Sequence, residues 1–460
     1  MLILILMMIT TTVTISACHT SVDCSMNGEC ILPNDVKDPQ SDGKCRCFHG
    51  WKGIYCDILH LQPIDKQLPH GLQLADNVST WGGSIIYYDG AYHMYASRIV
   101  NKNCGLSTWT TNSEVIHAVS QNSSNPLGPY VVSDVVLPVF AHEPNAMIVP
   151  TTGEIVIYVT ALPGVKPRNC TTTMNDNSSD GDGDNTRPDE QQQLPPPKDT
   201  YMLYSTNGPY GPWSEPVMVF NSTRWNVDYW NKTKHFAICD SNLNGIINID
   251  NSFVGLWRRC ETPNLLTIPH VITASNWKDP TTYQPNLNPI FVLDGSGAED
   301  PSNIWTTSSK DTQGNLITAY HVIFHDEQST RCMLPTGCSS NGRHAFSIDN
   351  GKTWTYSMND AYTRNISYTD NTYLISNTRA RPHIVIDPYC KDVDENERDN
   401  DETLDDDRTS CQSNPKLLAL STGLKPTSES DYVWTLVQSI QGGDGGEGSN
   451  DDEDSTTMVE

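Results

Sequence analysis

Six closely spaced cysteines near the start of the chain constrain its folding more than any other feature of the sequence. They follow the spacing C-x5-C-x5-C-x14-C-x-C-x8-C and are Cys18, Cys24, Cys30, Cys45, Cys47 and Cys56. A segment this short cannot bury enough apolar surface to fold unaided, so it needs covalent cross-links. A zinc site is the alternative, and it is disfavoured because no histidine pair lies at ligand spacing. We therefore expect disulfides and an oxidising, secretory compartment.

This spacing, with Gly50, Trp51 and Gly53 inside the last cysteine pair, resembles that of an EGF-like module. The glycines allow a tight turn with positive φ, and the tryptophan is expected to cover the disulfides. The resemblance spans residues 18–57 and implies the bridges Cys18–Cys30, Cys24–Cys45 and Cys47–Cys56. It does not decide the function, because EGF-like modules serve mostly as spacers or as contact surfaces for a protein partner.

An apolar segment precedes these cysteines. Residues 2–9 are wholly apolar and are followed by small residues up to Ala17. This pattern predicts a cleaved signal peptide over residues 1–17 and a secreted, extracellular protein. The run is too short to span a bilayer, and no other run approaches the ~20 residues that a transmembrane helix needs. No transmembrane span is therefore expected.

The net charge of −26 is unevenly distributed along the chain. Three segments, 171–199, 391–408 and 441–460, hold 7, 10 and 7 acidic residues, which is 24 of the 55 acids against 5 of the 29 bases. The remaining 31 acids and 24 bases are ordinary for a folded domain. We interpret the first two segments as acidic loop insertions and the third as a disordered tail. Such a balance argues against nucleic acid and anionic membranes as partners.

Seven Asn-x-Ser/Thr sequons are expected on surface loops as glycan acceptors, several of them in use. They begin at Asn77, Asn122, Asn169, Asn177, Asn221, Asn231 and Asn365.

Eight further cysteines follow the EGF-like segment, and sequence alone permits 105 connectivities among them. Cys332 and Cys338 flank a short turn, and Cys390 and Cys411 bracket an acidic loop. Cys239 and Cys260 are nearly equidistant from a turn at residues 250–251, so a hairpin would bring them face to face. These three pairs are the expected ones, and Cys104 and Cys170 are paired only by elimination.

The rest of the chain lacks helical periodicity and consists of short apolar runs between Gly, Asn, Asp and Pro turns, which is typical of an all-β fold. Five apolar hairpins recur, at residues 84–96, 146–159, 245–257, 303–320 and 383–420. A weaker second hairpin follows most of them, at residues 117–130, 203–213 and 344–354. Two hairpins per unit make four strands, and a unit of roughly 60 residues repeated five times predicts a five-bladed β-propeller over residues 58–440. A sandwich of two domains is the alternative.

Pro-containing motifs open several of the predicted blades. They are His142-Glu143-Pro144-Asn145, Glu299-Asp300-Pro301-Ser302 and Arg381-Pro382-His383-Ile384, and residues 342–349 with Trp354 form an outer-strand motif. These motifs resemble the glycoside hydrolase family 43 superfamily, the arabinanase-like clan, over most of the chain after the EGF-like module. The resemblance implies a five-bladed propeller, and relatives often hold a cation in the channel. Family members place an aspartate base at the start of the first blade, where this chain has Trp81-Gly82-Gly83-Ser84.

Side chains at the start of the first strand of each blade are expected to meet at one mouth of the central channel. Glycoside hydrolysis needs two carboxyl groups, one protonated and one ionised. The candidates for these are Glu143, Asp240, Glu299 and Asp300, and the candidates for sugar contacts are Trp81, His142, Arg381 and His383. Each also has a structural interpretation, as a group that bonds backbone, pairs with a neighbouring charge or packs a blade. No cofactor and no metal site are predicted, because the sequence has no zinc motif, phosphate loop or dinucleotide fingerprint.

Two functions remain open from the sequence. The first is a secreted glycosidase-like enzyme that acts on extracellular polysaccharide. The second is a non-catalytic carbohydrate-binding or adhesive protein that uses the EGF-like module as a contact or spacer. The missing first-blade aspartate favours the second function, and the convergence of charged side chains favours the first.

Overall fold

The computed structural model describes residues 18–32, 43–75, 78–101, 103–162, 164–170, 199–220, 241–261, 266–290, 297–310, 313–328, 339–389 and 414–441. In this part of the chain almost all regular structure is β. The only helical segments described are the single turns Leu106–Thr108, Trp109–Asn112 and Pro280–Thr282.

The cysteine-rich segment forms two small antiparallel sheets. Strand β1 (Gly28–Ile31) pairs with β2 (Lys44–Cys47), and β3 (Trp51–Lys52) pairs with β4 (Ile58–Leu59). The structure contains the disulfides that the EGF-like resemblance implies, Cys18–Cys30, Cys24–Cys45 and Cys47–Cys56. Strands of two to four residues cannot hold a fold alone, so these bonds supply the constraint that a hydrophobic core gives elsewhere.

Five antiparallel sheets follow, one for each predicted blade. Blade one contains β5 (Thr80–Tyr88), β6 (Ala91–Ile99), β7 (Ser113–Ser120) and β8 (Tyr130–Leu137). Blade two contains β9 (Ala141–Ile148), β10 (Ile155–Ala161), β11 (Asp199–Ser205) and β12 (Val217–Phe220). Blade three contains β13 (Ser241–Ile247), β14 (Phe253–Glu261), β15 (Leu266–Ala274) and β16 (Gln284–Pro289). Blade four contains β17 (Gly297–Glu299), β18 (Trp305–Lys310), β19 (Leu316–Gln328), β20 (Ser339–Ser347) and β21 (Thr355–Tyr362). After a hairpin of β22 (Asn365–Ser367) and β23 (Tyr373–Ile375), blade five contains β24 (Thr378–Ile386), β25 (Leu417–Lys425) and β26 (Trp434–Ser439).

The five sheets form a closed ring, which makes the domain a five-bladed β-propeller as predicted. Innermost strands of neighbouring blades contact each other, β5 with β9, β9 with β13 and β24 with β5. Blade four meets blade three through β17 and β15, and it meets blade five through β19, β20 and β24. Blade five has three strands of its own, and the segment before blade one adds to its outer edge, where the Leu72 amide donates to the Thr435 carbonyl (2.9 Å). The beginning and the end of the domain are thereby held together.

A cyclic set of hydrogen bonds connects each blade to the next around the channel, and we call it the inter-blade belt. One polar side chain near the middle of each innermost segment bonds to a backbone carbonyl of the following blade. The five bonds run from Ser84 Oγ to Ala146 O (3.2 Å), Asn145 Nδ2 to Leu243 O (2.9 Å), Asn244 Nδ2 to Pro301 O (3.2 Å), Asn303 Nδ2 to Ile384 O (2.9 Å) and His383 Nε2 to Ile85 O (2.9 Å). The belt supplies partners to buried polar side chains and connects neighbouring blades by hydrogen bonds.

The EGF-like module packs directly onto blades four and five. Trp51 lies against the rings of His344 (centroids 4.9 Å apart) and Trp305 (6.4 Å), inside an apolar cluster that also contains Leu417. The hydroxyl of Thr307 donates to the carbonyl of Met26 (2.9 Å). The tryptophan that was expected to cover the disulfides therefore also joins the module to the propeller.

The remaining predictions concern the other cysteines, the glycosylation sequons and the limits of the domains. Only some of these residues are described. Cys104 and Cys170 are joined in a disulfide. The side chains of Cys239, Cys260, Cys332, Cys338, Cys390 and Cys411 lie outside the described residues, as do Asn77, Asn177, Asn221 and Asn231. Asn122, Asn169 and Asn365 are exposed, as glycan acceptors must be. Residues 1–17, 171–198, 391–408 and 442–460 are not described, so the predicted signal peptide, loop insertions, tail and domain limits stay predictions.

Candidate functional site

A residue in the left-handed conformation interrupts the innermost segment of every blade at the same place. These residues are Gly82 (φ 63°), Glu143 (φ 60°), Asn242 (φ 57°), Asp300 (φ 55°) and Arg381 (φ 57°). In blades one, two, three and five the strand register shifts there, and in blade four β17 ends and β18 begins around it. Four of the five are not glycine, and such strained backbone tends to cluster at functional sites. The bulges turn these side chains out of the strand pattern and toward one another.

The side chains that meet there form what we call the charged cluster. It consists of Glu143, Arg258, Glu299, Asp300, His325 and Arg381, contributed by blades two to five. Glu143, Glu299 and Arg258 are the most accessible members, with 12%, 15% and 13% of their side-chain surface exposed. The others are more deeply buried. A ligand that reaches the cluster therefore meets two carboxyl groups and a guanidinium first.

Glu143 lies in surroundings that favour its protonated form. Its carboxyl group is 3.5 Å from Arg381 Nη1 and 3.5 Å from His142 Nε2. Burial, together with the nearby charges of Asp300 and Glu299, raises the pKa of Glu143 to about 7, although Arg381 opposes the shift. The Glu143 amide donates to Ser97 Oγ (2.8 Å), which holds its left-handed backbone. Glu143 can therefore carry a proton near neutral pH.

Glu299 lies against positive or potentially positive groups. One of its carboxylate oxygens accepts from Arg258 Nη1, and the other lies 3.4 Å from His325 Nδ1. Burial works against the charge of Arg258, but Glu299 and Glu143 outweigh it and raise the arginine pKa. Strand pairing explains the geometry, because Arg258 faces Ser241 and His325 faces Glu299 across their hairpins. The ion pair stabilises Glu299 as a carboxylate.

Asp300 and Arg381 form the deepest pair of the cluster. Arg381 Nη1 is 3.2 Å from Asp300 Oδ1, which also accepts from Asn242 Nδ2. Burial, reinforced by Glu299, raises the pKa of Asp300, and Arg381 and His325 oppose that shift. The asparagine of blade three thus supports a carboxyl of blade four, which links neighbouring left-handed positions.

His142 is held in one orientation beside the cluster. Its Nδ1 lies 2.7 Å from Ser113 Oγ, and its ring stacks on Trp109 with centroids 4.5 Å apart. Because the ring is fixed at one nitrogen, the other nitrogen is aimed at Glu143. His142 is therefore suited to orient that carboxyl.

A cation could be held by Glu299, Asp300 and His325, whose ligand atoms all lie within 4.8 Å of one another. The guanidinium groups of Arg258 and Arg381 already contact two of these residues. A cation would have to compete with that positive charge, so the arrangement suits the ion pairs better than a metal.

The structure places the predicted site residues in three different settings. Glu143, Glu299, Asp300, Arg381 and His142 come together at the cluster. His383 lies in the inter-blade belt, where its second nitrogen is 3.5 Å from Ser84 Oγ and burial lowers its pKa to about 4. Trp81 is buried in a small apolar cluster with Ala380 and Val433.

The expected roles of His383 and Trp81 in sugar binding stay predictions. Both nitrogens of the histidine already have protein neighbours, and the tryptophan is 6% exposed. Asp240 lies outside the described residues.

Arg258 and His325 belong to the cluster but were not predicted from the sequence. Both lie on second strands of their blades, opposite the start of an innermost segment. The sequence prediction rested on the first strand of each blade. The predicted hairpins could have identified them, because antiparallel register places a residue of the second strand beside each bulge.

Comparison with known proteins gives a family match for the cysteine-rich module. A family model for teneurin-like EGF domains matches residues 20–59. No curated protein matches the chain. No helix among the described residues has both the length and the apolar character required to cross a membrane.

Several solved structures are similar to this chain at low sequence identity. A glycoside hydrolase has a TM-score of 0.46 and 10% identity, with 80% of this chain and 88% of that chain covered. The catalytic domain of a GH62 α-L-arabinofuranosidase from Coprinopsis cinerea has a TM-score of 0.44 and 10% identity, with 86% and 96% covered. An endo-arabinase from Bacteroides thetaiotaomicron has a TM-score of 0.41 and 10% identity, with 80% and 96% covered.

Proposed function

We propose that the charged cluster binds a polysaccharide and hydrolyses its glycosidic bonds, with Glu143 as the proton donor and Glu299 as the ionised partner. The observation that carries this proposal is the contrast between the two groups. Glu143 has its pKa raised to about 7, whereas Glu299 is ion-paired with Arg258 in the same cluster. Pairs of carboxyls whose surroundings push their proton affinities apart are the usual acid and base of glycoside hydrolysis.

Each neighbour has a defined part in this mechanism. Glu143 donates its proton to the oxygen of the leaving sugar, and His142 keeps the carboxyl oriented. Glu299 then either activates a water molecule or attacks the sugar itself. Arg381 and Asp300 set the electrostatic surroundings of Glu143, since both contribute to its shift in pKa.

The protein is proposed to act outside the cell. The four disulfides seen among the described residues require an oxidising compartment, and the EGF-like module is typical of extracellular proteins. The exposed sequons of the propeller, at Asn122, Asn169 and Asn365, are proposed to carry glycans.

Non-catalytic glycan binding is the second candidate function, and one observation favours it. Gly82 occupies the left-handed position of blade one and offers no carboxyl group. Arg258 and Arg381 also hold the carboxyls of blades two and four in ion pairs. A site with this composition can bind sugar hydroxyls without cleaving the bond between them.

The test is hydrolysis by the secreted protein of arabinans, xylans, galactans and sulfated algal-type polysaccharides. Glu143→Gln and Glu299→Gln are each expected to lower the rate by ~10²–10⁴-fold, because each removes a general acid–base function while preserving shape. Exposed Glu429→Gln is the matched control and is expected to retain the parent rate. The rate should also fall as pH rises through about 7, where Glu143 loses its proton.

Two outcomes would contradict the mechanism. Unchanged hydrolysis in Glu143→Gln and Glu299→Gln would place the chemistry elsewhere in the chain. Glycan binding by the parent without hydrolysis of any substrate would favour the second candidate function.

A further inference from the structure

One of the five left-handed positions lacks a side chain, and the neighbouring arginine faces it. Blades two to five present Glu143, Asn242, Asp300 and Arg381, whereas blade one presents Gly82. We infer that a negatively charged group of the glycan, a carboxylate or a sulfate ester, pairs with Arg381 beside Gly82. This inference rests on the proposed glycan-binding function of the charged cluster and specifies the class of glycan as acidic.

Arg381 packs directly against Gly82 and fills the direction in which a side chain of residue 82 would extend. A Cβ atom built on Gly82 would have three nearest atoms that all belong to Arg381, namely Cβ at 3.3 Å, Cγ at 3.6 Å and Nε at 3.6 Å. The absence of a side chain at residue 82 therefore lets blade one approach Arg381 closely without offering a side-chain acceptor to Nε.

The hydrogen-bonding capacity of Arg381 is only partly used by the protein. Its Nη1 atom interacts with Asp300 at 3.2 Å and with Glu143 at 3.5 Å. Within the described residues, Nε and Nη2 have no hydrogen-bond acceptor, although 95% of the side chain is buried. A guanidinium carries five N–H donors, and Nε and Nη2 of Arg381 are not among the fully buried unpartnered atoms of the described residues, so a ligand group can reach them. Asp300 and Glu143 therefore interact with Nη1 of Arg381, whereas Gly82 lies beside Nε and has no side chain to accept a hydrogen bond.

The chemistry of the guanidinium selects an anionic partner. Nε and Nη2 form a planar fork that matches two oxygens of a carboxylate or a sulfate, with shorter and stronger bonds than a neutral hydroxyl makes. The local setting differs from the overall charge of −26, because much of that charge is concentrated in the three acidic segments. A short oligosaccharide with one anionic group at this place offers acceptors to both Nε and Nη2 of Arg381.

The experiment measures binding, not hydrolysis, by isothermal titration calorimetry. Length-matched neutral galacto-oligosaccharides, oligogalacturonates and sulfated galacto-oligosaccharides are titrated into the full secreted protein. We expect at least one acidic class to bind 10-fold or more tightly than the neutral class, with an affinity that falls as salt rises. Tighter binding of oligogalacturonate identifies the carboxylate as the ligand group, and tighter binding of the sulfated class identifies the sulfate ester.

Gly82→Asp is the decisive variant because it places the protein's own carboxylate beside Arg381. Asp tolerates the left-handed backbone better than most residues, as Asp300 does in blade four. We expect Gly82→Asp to lose roughly 10- to 100-fold in affinity for the acidic oligosaccharide, the scale of hydrogen bonds to charged groups. Gly153→Asp is the matched control, since Gly153 has φ 70° and no atom within 4 Å of its Cβ position.

Arg381→Gln should show a similar loss, and circular dichroism verifies the fold of each variant. Equal affinity of the parent for neutral and acidic oligosaccharides, or unchanged acidic binding in Gly82→Asp, would overturn this inference and leave the glycan function standing. Absence of binding and of hydrolysis with every glycan would instead overturn the proposed function and this inference with it.

Discussion

Replacement of Glu143 by glutamine tests whether the charged cluster holds a proton, independently of any substrate. The pKa of Glu143 rises from the ordinary 4.5 to about 7 on folding, mainly because the group is buried. A shift of this size corresponds to roughly 3 kcal/mol of unfavourable free energy for the ionised form, at about 1.4 kcal/mol for each pKa unit. Glutamine preserves the shape of the side chain and cannot ionise.

The sign of the effect follows from proton linkage. Between pH 4.5 and 7 the folded protein binds more protons at Glu143 than the unfolded chain does, so the parent's free energy of unfolding falls as pH rises. Near pH 4 both states are protonated, and Glu143→Gln should have a stability close to that of the parent. By pH 8 the parent carries the buried charge, and the variant should be more stable by up to about 3 kcal/mol.

Urea unfolding followed by tryptophan fluorescence at pH 4, 6 and 8 measures this difference. Glu429→Gln, an exposed position, should give a difference near zero at every pH. A stability difference between Glu143→Gln and the parent that stays constant from pH 4 to 8 would refute the argument. It would mean that Glu143 titrates normally and that the proposed acid is the wrong residue.

Two further predictions concern the structure around the site. His383→Ala removes a buried side chain together with one bond of the inter-blade belt, so it should lower the free energy of unfolding by about 2–3 kcal/mol. An unchanged urea midpoint would show that the belt does not stabilise the ring. Trp51→Ala empties the contact between the EGF-like module and His344, and it should cost about 3–5 kcal/mol, against little change for the exposed Tyr373→Ala. Equal midpoints for these two variants would indicate that the module does not share a core with the propeller.

Local sequence patterns were sufficient for the fold because each blade is built from neighbouring strands. Antiparallel hairpins join residues a few positions apart, so alternation and turn residues reveal them along the chain. The cysteine spacing likewise led to the EGF-like resemblance and its three bridges. Pro144, Pro301 and Pro382 indicated which segments are innermost, since each follows the left-handed residue that interrupts one of them.

Composition of the site was only partly predictable, because a bulge changes which side chains face the channel. Glu143, Glu299, Asp300 and Arg381 were found from their motifs. Arg258 and His325 were missed, since they reach the cluster across strand pairs.

The sequence by itself determined the strands, the disulfide-rich module and the kinds of charged group available at the channel. Tertiary structure alone decided how those groups share protons and partners. Whether Glu143 is acidic near pH 7 depends on burial and on charges from other blades, and whether His383 meets a ligand depends on a carbonyl of blade one. These properties arise from distances between residues far apart in the chain, and a one-dimensional pattern does not contain such distances.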